Sequence, residues 1–311
     1  MSYVFKSERT IALNIHRILA EQIQVVRETL ENSGQAREEA IHGVRKRIKK
    51  IRALFRLVEQ DMHPGIFKQT NRFYRTIGQR LSPLRDATVM INTLDKLRQT
   101  PSPKIAPPVL AALRRTLIQK KNLAARAFFE DSTQLEALSQ VFSQAPVKIS
   151  GLKKHTQSFS VFEPNLKKIY RRGRKALQIA RKKPGIDHLY ELRKQVKNLW
   201  YHTRLLKPTW PGLLGAYARE LDQLGELLGD DHDLGVLSQE IESERLLMRN
   251  KHSKAVVLQA LGQQRAALQE QLFPLANRLF AEKAGEFVGR YRLYWKLWRK
   301  ESRKPEMEVS E

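Results

Sequence analysis

Residues 41–58 read IHGVRKRIKKIRALFRLV, and this stretch decides the fold. Turned by about 100° per residue, it separates into two faces. Ile41, Val44, Ile48, Ile51, Phe55 and Val58 recur at steps of three and four, the period of a helix with one buried stripe. His42, Arg45, Lys49, Arg52 and Arg56 fall on a second arc about 80° wide. No acid enters the stretch before Glu59. A surface made only for solubility mixes both signs, so a single-signed arc points to an outside counter-charge.

The pattern returns at residues 189–206, LYELRKQVKNLWYHTRLL. Leu189, Leu192, Val196, Leu199 and Leu206 take the apolar positions, and Tyr190, Arg193, Lys197, Trp200 and Arg204 take the cationic arc. Farther along, Leu84–Val89 (LRDATV) lies over Asp231–Val236 (DHDLGV). The two matches are offset by 148 and 147 residues, which reads as a tandem duplication with halves 1–145 and 146–311. Ser33-Gly34, His63–Gly65, Thr100–Pro108 and Lys183–Gly185 break the chain into helices, and the aperiodic stretch Gln144–Pro164 marks the boundary between halves. The expected fold is all-α: two pseudo-symmetric antiparallel four-helix bundles packed together. The polar, acidic tail from about residue 302 is expected to be disordered.

Lys and Arg number 57 against 32 Asp and Glu, a formal charge of +25. That excess sets a field that draws polyanions and repels cations. Residues 167–183 carry nine Lys or Arg and no acid, with Lys167, Arg171, Arg174 and Arg181 on one face. Like charges stacked at i and i+4 oppose a helix, so an external anion is again the economical explanation. Arg offers forked donors to phosphate oxygens and Lys a mobile point charge, and cations at one-turn steps suit a linear polyanion. The chain has no Cys, which excludes disulfides and thiolate metal sites and fits a reducing compartment. No run of about 18 apolar residues exists to span a membrane, and the charged N-terminus does not read as a secretory signal. A cytoplasmic protein is expected.

Four ordered motifs carry a family resemblance. They are His42-Gly43-Val44-Arg45-Lys46 with its basic continuation, Tyr170–Lys175 (YRRGRK), Glu191–Tyr201 (ELRKQVKNLWY) and Leu228–Leu234 (LGDDHDL). Together they resemble the CHAD family, the conserved histidine α-helical domain, over almost the whole chain. The resemblance implies a basic groove between two helical bundles and binding of inorganic polyphosphate, with polyphosphate-granule proteins as further partners and the granule as a possible address. Position by position, it nominates His42, Arg45, Lys49 and Arg56 on the first His/Arg helix, and Lys46 and Arg52 of the same helix join them as candidate binding residues. It adds Arg171, Arg172 and Arg174 on the basic helix, and Arg193, Lys194, Lys197 and Arg204 on the second, where Tyr190 is a candidate to donate a phenolic hydrogen bond in place of the family's histidine. The family places a His where this chain has Tyr190, while His188 lies almost on the opposite helix face, so a two-histidine metal site is disfavoured. The Glu-x-Glu-x-Lys motif of the companion CYTH hydrolase is missing from Glu240–Arg245 (EIESER). A stand-alone binder, without cofactor, metal or enzymatic activity, is expected.

Other candidates weigh less. Asp230-Asp231-His232-Asp233 has the residue types for a hard divalent ion, but consecutive helical residues diverge, which favours structural ion pairs or a cap. His202 falls near the apolar face and is expected to be packed, whereas His42 would gain charge near pH 6.5 if unperturbed. Phe287, Tyr291, Trp295 and Trp298 form a helical stripe expected in the core, with a membrane-surface or base-stacking helix as alternatives. Nucleic-acid binding is the second functional reading. A metal-dependent phosphohydrolase built on Asp230–Asp233 and His42 is the third.

Overall fold

The computed structural model of the protein describes residues 3–32, 37–99, 105–129, 133–143, 157–243, 245–246, 248 and 250–302. Among these, eleven α-helices and three single 3-10 turns account for the regular structure, and no strand occurs. The helices are α1 (Ile11–Glu31), α2 (Arg37–Leu57), α3 (Pro64–Arg80), α4 (Ser82–Leu97), α5 (Pro107–Phe129), α6 (Thr133–Ser143), α7 (Glu163–Lys182), α8 (Ile186–Leu206), α9 (Pro211–Glu242), α10 (Lys251–Leu279) and α11 (Ala284–Glu301). Six precede residue 145 and five follow it, more than the four per half that the duplication suggested. The tail beyond residue 302 and most of the stretch 144–164 lie outside the described residues.

Local chemistry sets the helix ends. Thr10 accepts from the Leu13 amide at 3.2 Å, and Asn250 accepts from the Ser253 amide at 3.0 Å, each satisfying a donor of the first turn. Pro64, Pro83, Pro164 and Pro211 sit in first turns, where the missing N–H costs nothing. His63 caps α3, whose first two residues are Pro64 and Gly65, and Lys183–Gly185 separates α7 from α8.

The apolar stripes of α2 and α8 are buried as the spacing requires. Ile41, Val44, Ile48, Ile51, Phe55 and Val58 all lie in the core, with Leu189, Leu192, Val196, Leu199 and Leu206 from α8. They join one large core that also takes residues from α1, α3, α6, α7, α9, α10 and α11. A second cluster gathers Leu94 of α4, Leu117 of α5, Leu237 of α9 and Leu261 of α10. Both clusters draw on both halves of the chain. Of the aromatic stripe on α11, Phe287, Tyr291 and Trp295 are buried and Trp298 packs partly buried against them. That stripe is core.

At the centre, α2 and α8 pack directly on each other. Lys50 lies in the field of Arg204, the Ala53 carbonyl meets Nε2 of His202 at 2.9 Å, and Arg56 reaches Asn198 at 2.8 Å. Position numbers rise along α2 as they fall along α8, so the two helices cross in opposite directions. His202 is fully buried and packed, as its position on the apolar face suggested. This crossing turns both cationic arcs toward one region.

Candidate functional site: a cationic groove

Lys49 occupies the middle of that region. Its side chain is exposed to solvent, with cationic side chains from three helices gathered around it. Burial and the fields of Arg193, Arg45, Lys197 and Arg85 push its ionisation down to about 8. These four cations come from α2, α4 and α8. The sequence arcs of α2 and α8 therefore meet in space.

The remaining α2 residues extend the cluster in both directions. His42 is exposed at one end, and burial together with Arg85, Lys49, Lys46 and Arg45 holds its ionisation below the usual imidazole value. The unperturbed imidazole expected from sequence is thus corrected: surrounding cations oppose its charging. Arg45 donates to the Gly78 carbonyl and to Ser82 Oγ, both at 2.7 Å, which pins it to the junction of α3 and α4. Arg52 donates to Asn71 Oδ1 at 3.1 Å. Burial, Arg56 and Arg75 depress its ionisation below the ordinary guanidinium value. Lys46 is exposed on the flank.

On α8, Arg193 has its Nε buried without a hydrogen-bond partner. Lys197 is held by Asp222 at 2.9 Å and lies 4.5 Å from the Trp200 ring centroid. The Arg204 guanidinium covers the same ring at 4.6 Å. Half-buried Trp200 is thus flanked by two cations, a contact stabilising by roughly 0.5–2 kcal/mol each. Tyr190 stacks on His232 at 4.7 Å, and Lys194 pairs with Glu191 at 2.5 Å while lying over the Tyr190 ring. His188 caps away from the groove, with Nδ1 2.8 Å from the Lys183 carbonyl.

Several groove residues escape sequence reasoning. Arg85 of α4 and Arg75 of α3 belong to the cluster through their action on Lys49, Arg52 and Arg56. Arg85 sits in the repeated LRDATV segment, which was the available signal; Arg75 had none. Gly225 and Gly229 of α9 matter for their lack of a side chain. A Cβ at Gly225 would stand 3.0 Å from Lys197 Nζ, and one at Gly229 would stand 3.0 Å from Arg193 Nη2. Two glycines one turn apart make the space in which both cations lie. Two carboxylates border them: exposed Asp86 faces Arg45, Lys49 and Arg85, and half-buried Asp233 faces Arg193 and Arg85. Burial raises the ionisation of both, which shows that the cations only partly offset the cost of enclosing them.

The basic helix α7 packs against α8. Arg171 and Arg172 are exposed, Arg172 lies in the field of Glu191, and Arg174 acts on Tyr170 beside Glu282. The strongest charges on Lys49, His42, Arg52 and Arg56 come from α2, α3, α4 and α8 and the turn holding Glu59.

The Asp230–Asp233 run diverges as helix geometry requires. Asp230 pairs with Lys96 of α4 at 2.8 Å. Asp231 is fully buried and receives Nε and Nη2 of Arg265, both at 3.2 Å, and Nε2 of Gln269 at 2.8 Å. His232 stacks on Tyr190, and Asp233 turns toward Arg193. Among the described residues no cluster of three or more His, Asp or Glu is placed to hold a metal ion, and no helix is long and apolar enough to cross a membrane.

The CHAD domain model matches residues 17–242, more than half of the chain. Among solved structures, PptA from Streptomyces chartreusis is similar, with a TM-score of 0.51 and 13% identity, over 87% of this chain and 99% of that one. At that identity the likeness speaks for the fold alone. A search of curated proteins finds no match.

Proposed function

The chain belongs to the CHAD family, and from that premise we propose that its groove binds inorganic polyphosphate, acting as a binding module and not as an enzyme. One observation carries the reading. Lys49 is surrounded by Arg45, Arg85, Arg193 and Lys197, drawn from three helices and both halves of the chain. Such self-repulsion is relieved by an anion that touches several of these cations at once. A phosphate chain does so, because it carries closely spaced charge along a flexible line. The family's association with polyphosphate makes this the polyanion of choice, and recruitment to polyphosphate granules follows as the cellular consequence.

Binding of this kind releases counterions, so affinity should fall steeply as salt rises. The combined change Lys49→Glu, Arg193→Glu and Lys197→Glu leaves the bonds of Arg45 to the Gly78 carbonyl and Ser82 Oγ intact. It should abolish capture by immobilised long-chain polyphosphate while the far-ultraviolet spectrum and its cooperative melt persist. Undiminished capture by a folded triple variant would remove the groove from the proposal.

Nucleic acid is the second reading, favoured by one feature: Trp200, flanked by Lys197 and Arg204, offers part of a stacking surface. Competition at matched phosphate concentration separates the two. Equal displacement by single-stranded DNA, RNA and polyphosphate would count against a polyphosphate-selective site.

A further inference from the structure

We propose that the outward face of α11, together with Trp210, docks on the surface of an anionic membrane. The inference stands independently of the polyphosphate reading. The inner face of α11 is spent: Phe287, Val288, Tyr291, Tyr294 and Trp295 are buried. A helix with one face in a core ordinarily turns polar residues to water on the other. Here the outward face carries Leu293 and Leu297, one turn apart and exposed by 53% and 46%.

Trp210, the residue before α9, is 49% exposed, and its ring meets the Tyr294 ring edge-on at 4.8 Å. Tyr294 and Leu297 are neighbours on the helix surface at i and i+3, and Leu293 and Leu297 at i and i+4, so the three exposed apolar side chains adjoin. By contrast, Leu13, Leu123 and Ile179 are exposed singly on α1, α5 and α7, which is ordinary for a protein surface.

Charge names the occupant. Residues 287–300 contain no acid. Arg290 and Arg292 are held by Glu282 and Glu163, and Arg299 donates to the carbonyls of Ser7 and Arg9. Lys296 and Lys300 are exposed, and among the described residues neither forms an ion pair. At about 100° per residue, these two lysines share an arc about 100° wide with Leu293 and Leu297. Such a mixture fits the boundary of an anionic bilayer, where acyl chains take the leucines and headgroups take the ammonium groups. Trp210 suits the same depth, because its ring is apolar and its N–H is polar. A second copy of the chain fits less well. It would bring another charge of +25 against these lysines. Three apolar side chains also fall far short of the roughly 1,000 Å² that a stable protein interface buries.

Vesicle flotation tests this. The intact protein should float with vesicles of phosphatidylcholine and phosphatidylglycerol and stay behind with phosphatidylcholine alone. Leu293→Ser/Leu297→Ser should melt as the wild type does yet bind the mixed vesicles about tenfold more weakly. Lys296→Gln/Lys300→Gln, which alters only exposed polar groups, should also weaken binding several-fold. The groove variant Lys49→Glu/Arg193→Glu/Lys197→Glu should float undiminished, so failure of the polyphosphate reading leaves this test untouched. Mixed vesicles with brominated acyl chains should quench the wild type more than Trp210→Phe, since only a ring at the acyl boundary is reached. Wild-type protein that never floats would overturn the proposal, as would undiminished flotation of the leucine variant or equal quenching with and without Trp210. Flotation lost in the groove variant but kept in the leucine variant would assign lipid binding to the groove and reject the α11 patch. Sedimentation of the free protein covers the remaining occupant: a dimer that dissolves when the leucines are changed would give the patch to a second copy and reject the membrane.

Discussion

The guanidinium of Arg193 occupies the space that a side chain at Gly229 would need, with Nη2 3.0 Å from the position of a Cβ there. The same relation holds one turn earlier between Lys197 and Gly225. The cationic arc of α8 is thus set by what α9 lacks, and small changes on α9 should reach the ligand through α8.

Replacing both glycines with alanine tests this. In a helix interior alanine is favoured by roughly 0.5–1 kcal/mol per site through backbone entropy. Arg193 and Lys197 end in flexible groups that can shift by a few tenths of an ångström. Gly225→Ala/Gly229→Ala should therefore melt at or above the wild-type temperature while binding polyphosphate several-fold more weakly. Differential scanning calorimetry and a fluorescence titration read the two effects separately.

Polyphosphate affinity should depend on pH through Lys49. Its ionisation is pushed down to about 8, and a bound polyanion favours the charged form. Below pH 8 the lysine is charged in both states. Above it, binding requires proton uptake, and affinity should fall by up to roughly tenfold per pH unit for one coupled proton. Calorimetry at pH 8.5 in two buffers of different ionisation heat should show uptake, and Lys49→Arg should flatten the profile.

The free protein should respond with the opposite sign. Lys49 and Lys50 both ionise near 8 in the fold and near the ordinary lysine value when unfolded. The unfolded chain binds more protons across that interval, so stability should rise from pH 8 to about 9.5. Higher still, Tyr170 and Tyr201, held up to about 12 by burial, contribute the reverse trend. Melting temperatures at low ionic strength trace the window.

His202 gives an acid counterpart. Burial pushes its ionisation down to about 3, while the unfolded imidazole charges near 6.5. Its contribution is intact above 6.5 and is lost as pH falls toward 3. Between pH 6.5 and 4.5, His202→Gln should show a shallower loss of stability than the wild type, by about one proton in a urea-melt analysis.

Asp231 should prove structural. Removing one partner of a buried pair strands the other charge and costs roughly 3–5 kcal/mol. Asp231→Ala should lose stability on that scale in urea, whereas Asp231→Leu/Arg265→Met should recover much of it. Metal addition should rescue neither variant.

Much of this was legible in residues 41–58 and 189–206. Helical period alone separates Ile48 from Lys49 and Leu199 from Trp200, and burial follows that separation without exception along the two apolar stripes. Periodicity describes one helix at a time, however. It cannot say which arcs face each other, so Arg75 of α3 and the glycines of α9 carry no signal of their own in the sequence. The crossing of α2 with α8 is a tertiary fact, fixed by contacts such as His202 with the Ala53 carbonyl. For Asp230–Asp233 the divergence was readable, but the partners Lys96 and Arg265 were not, because they lie on other helices.

Trp200 lies between Lys197 and Arg204, within 4.6 Å of both charged groups. An indole ring so placed has its excited state tuned by those charges. Any ligand that draws either cation off the ring changes the emission, and the other three tryptophans, at 210, 295 and 298, stand outside the groove. The protein therefore carries its own optical gauge of occupancy, positioned by the fold on the face of α8 where the proposed ligand would lie.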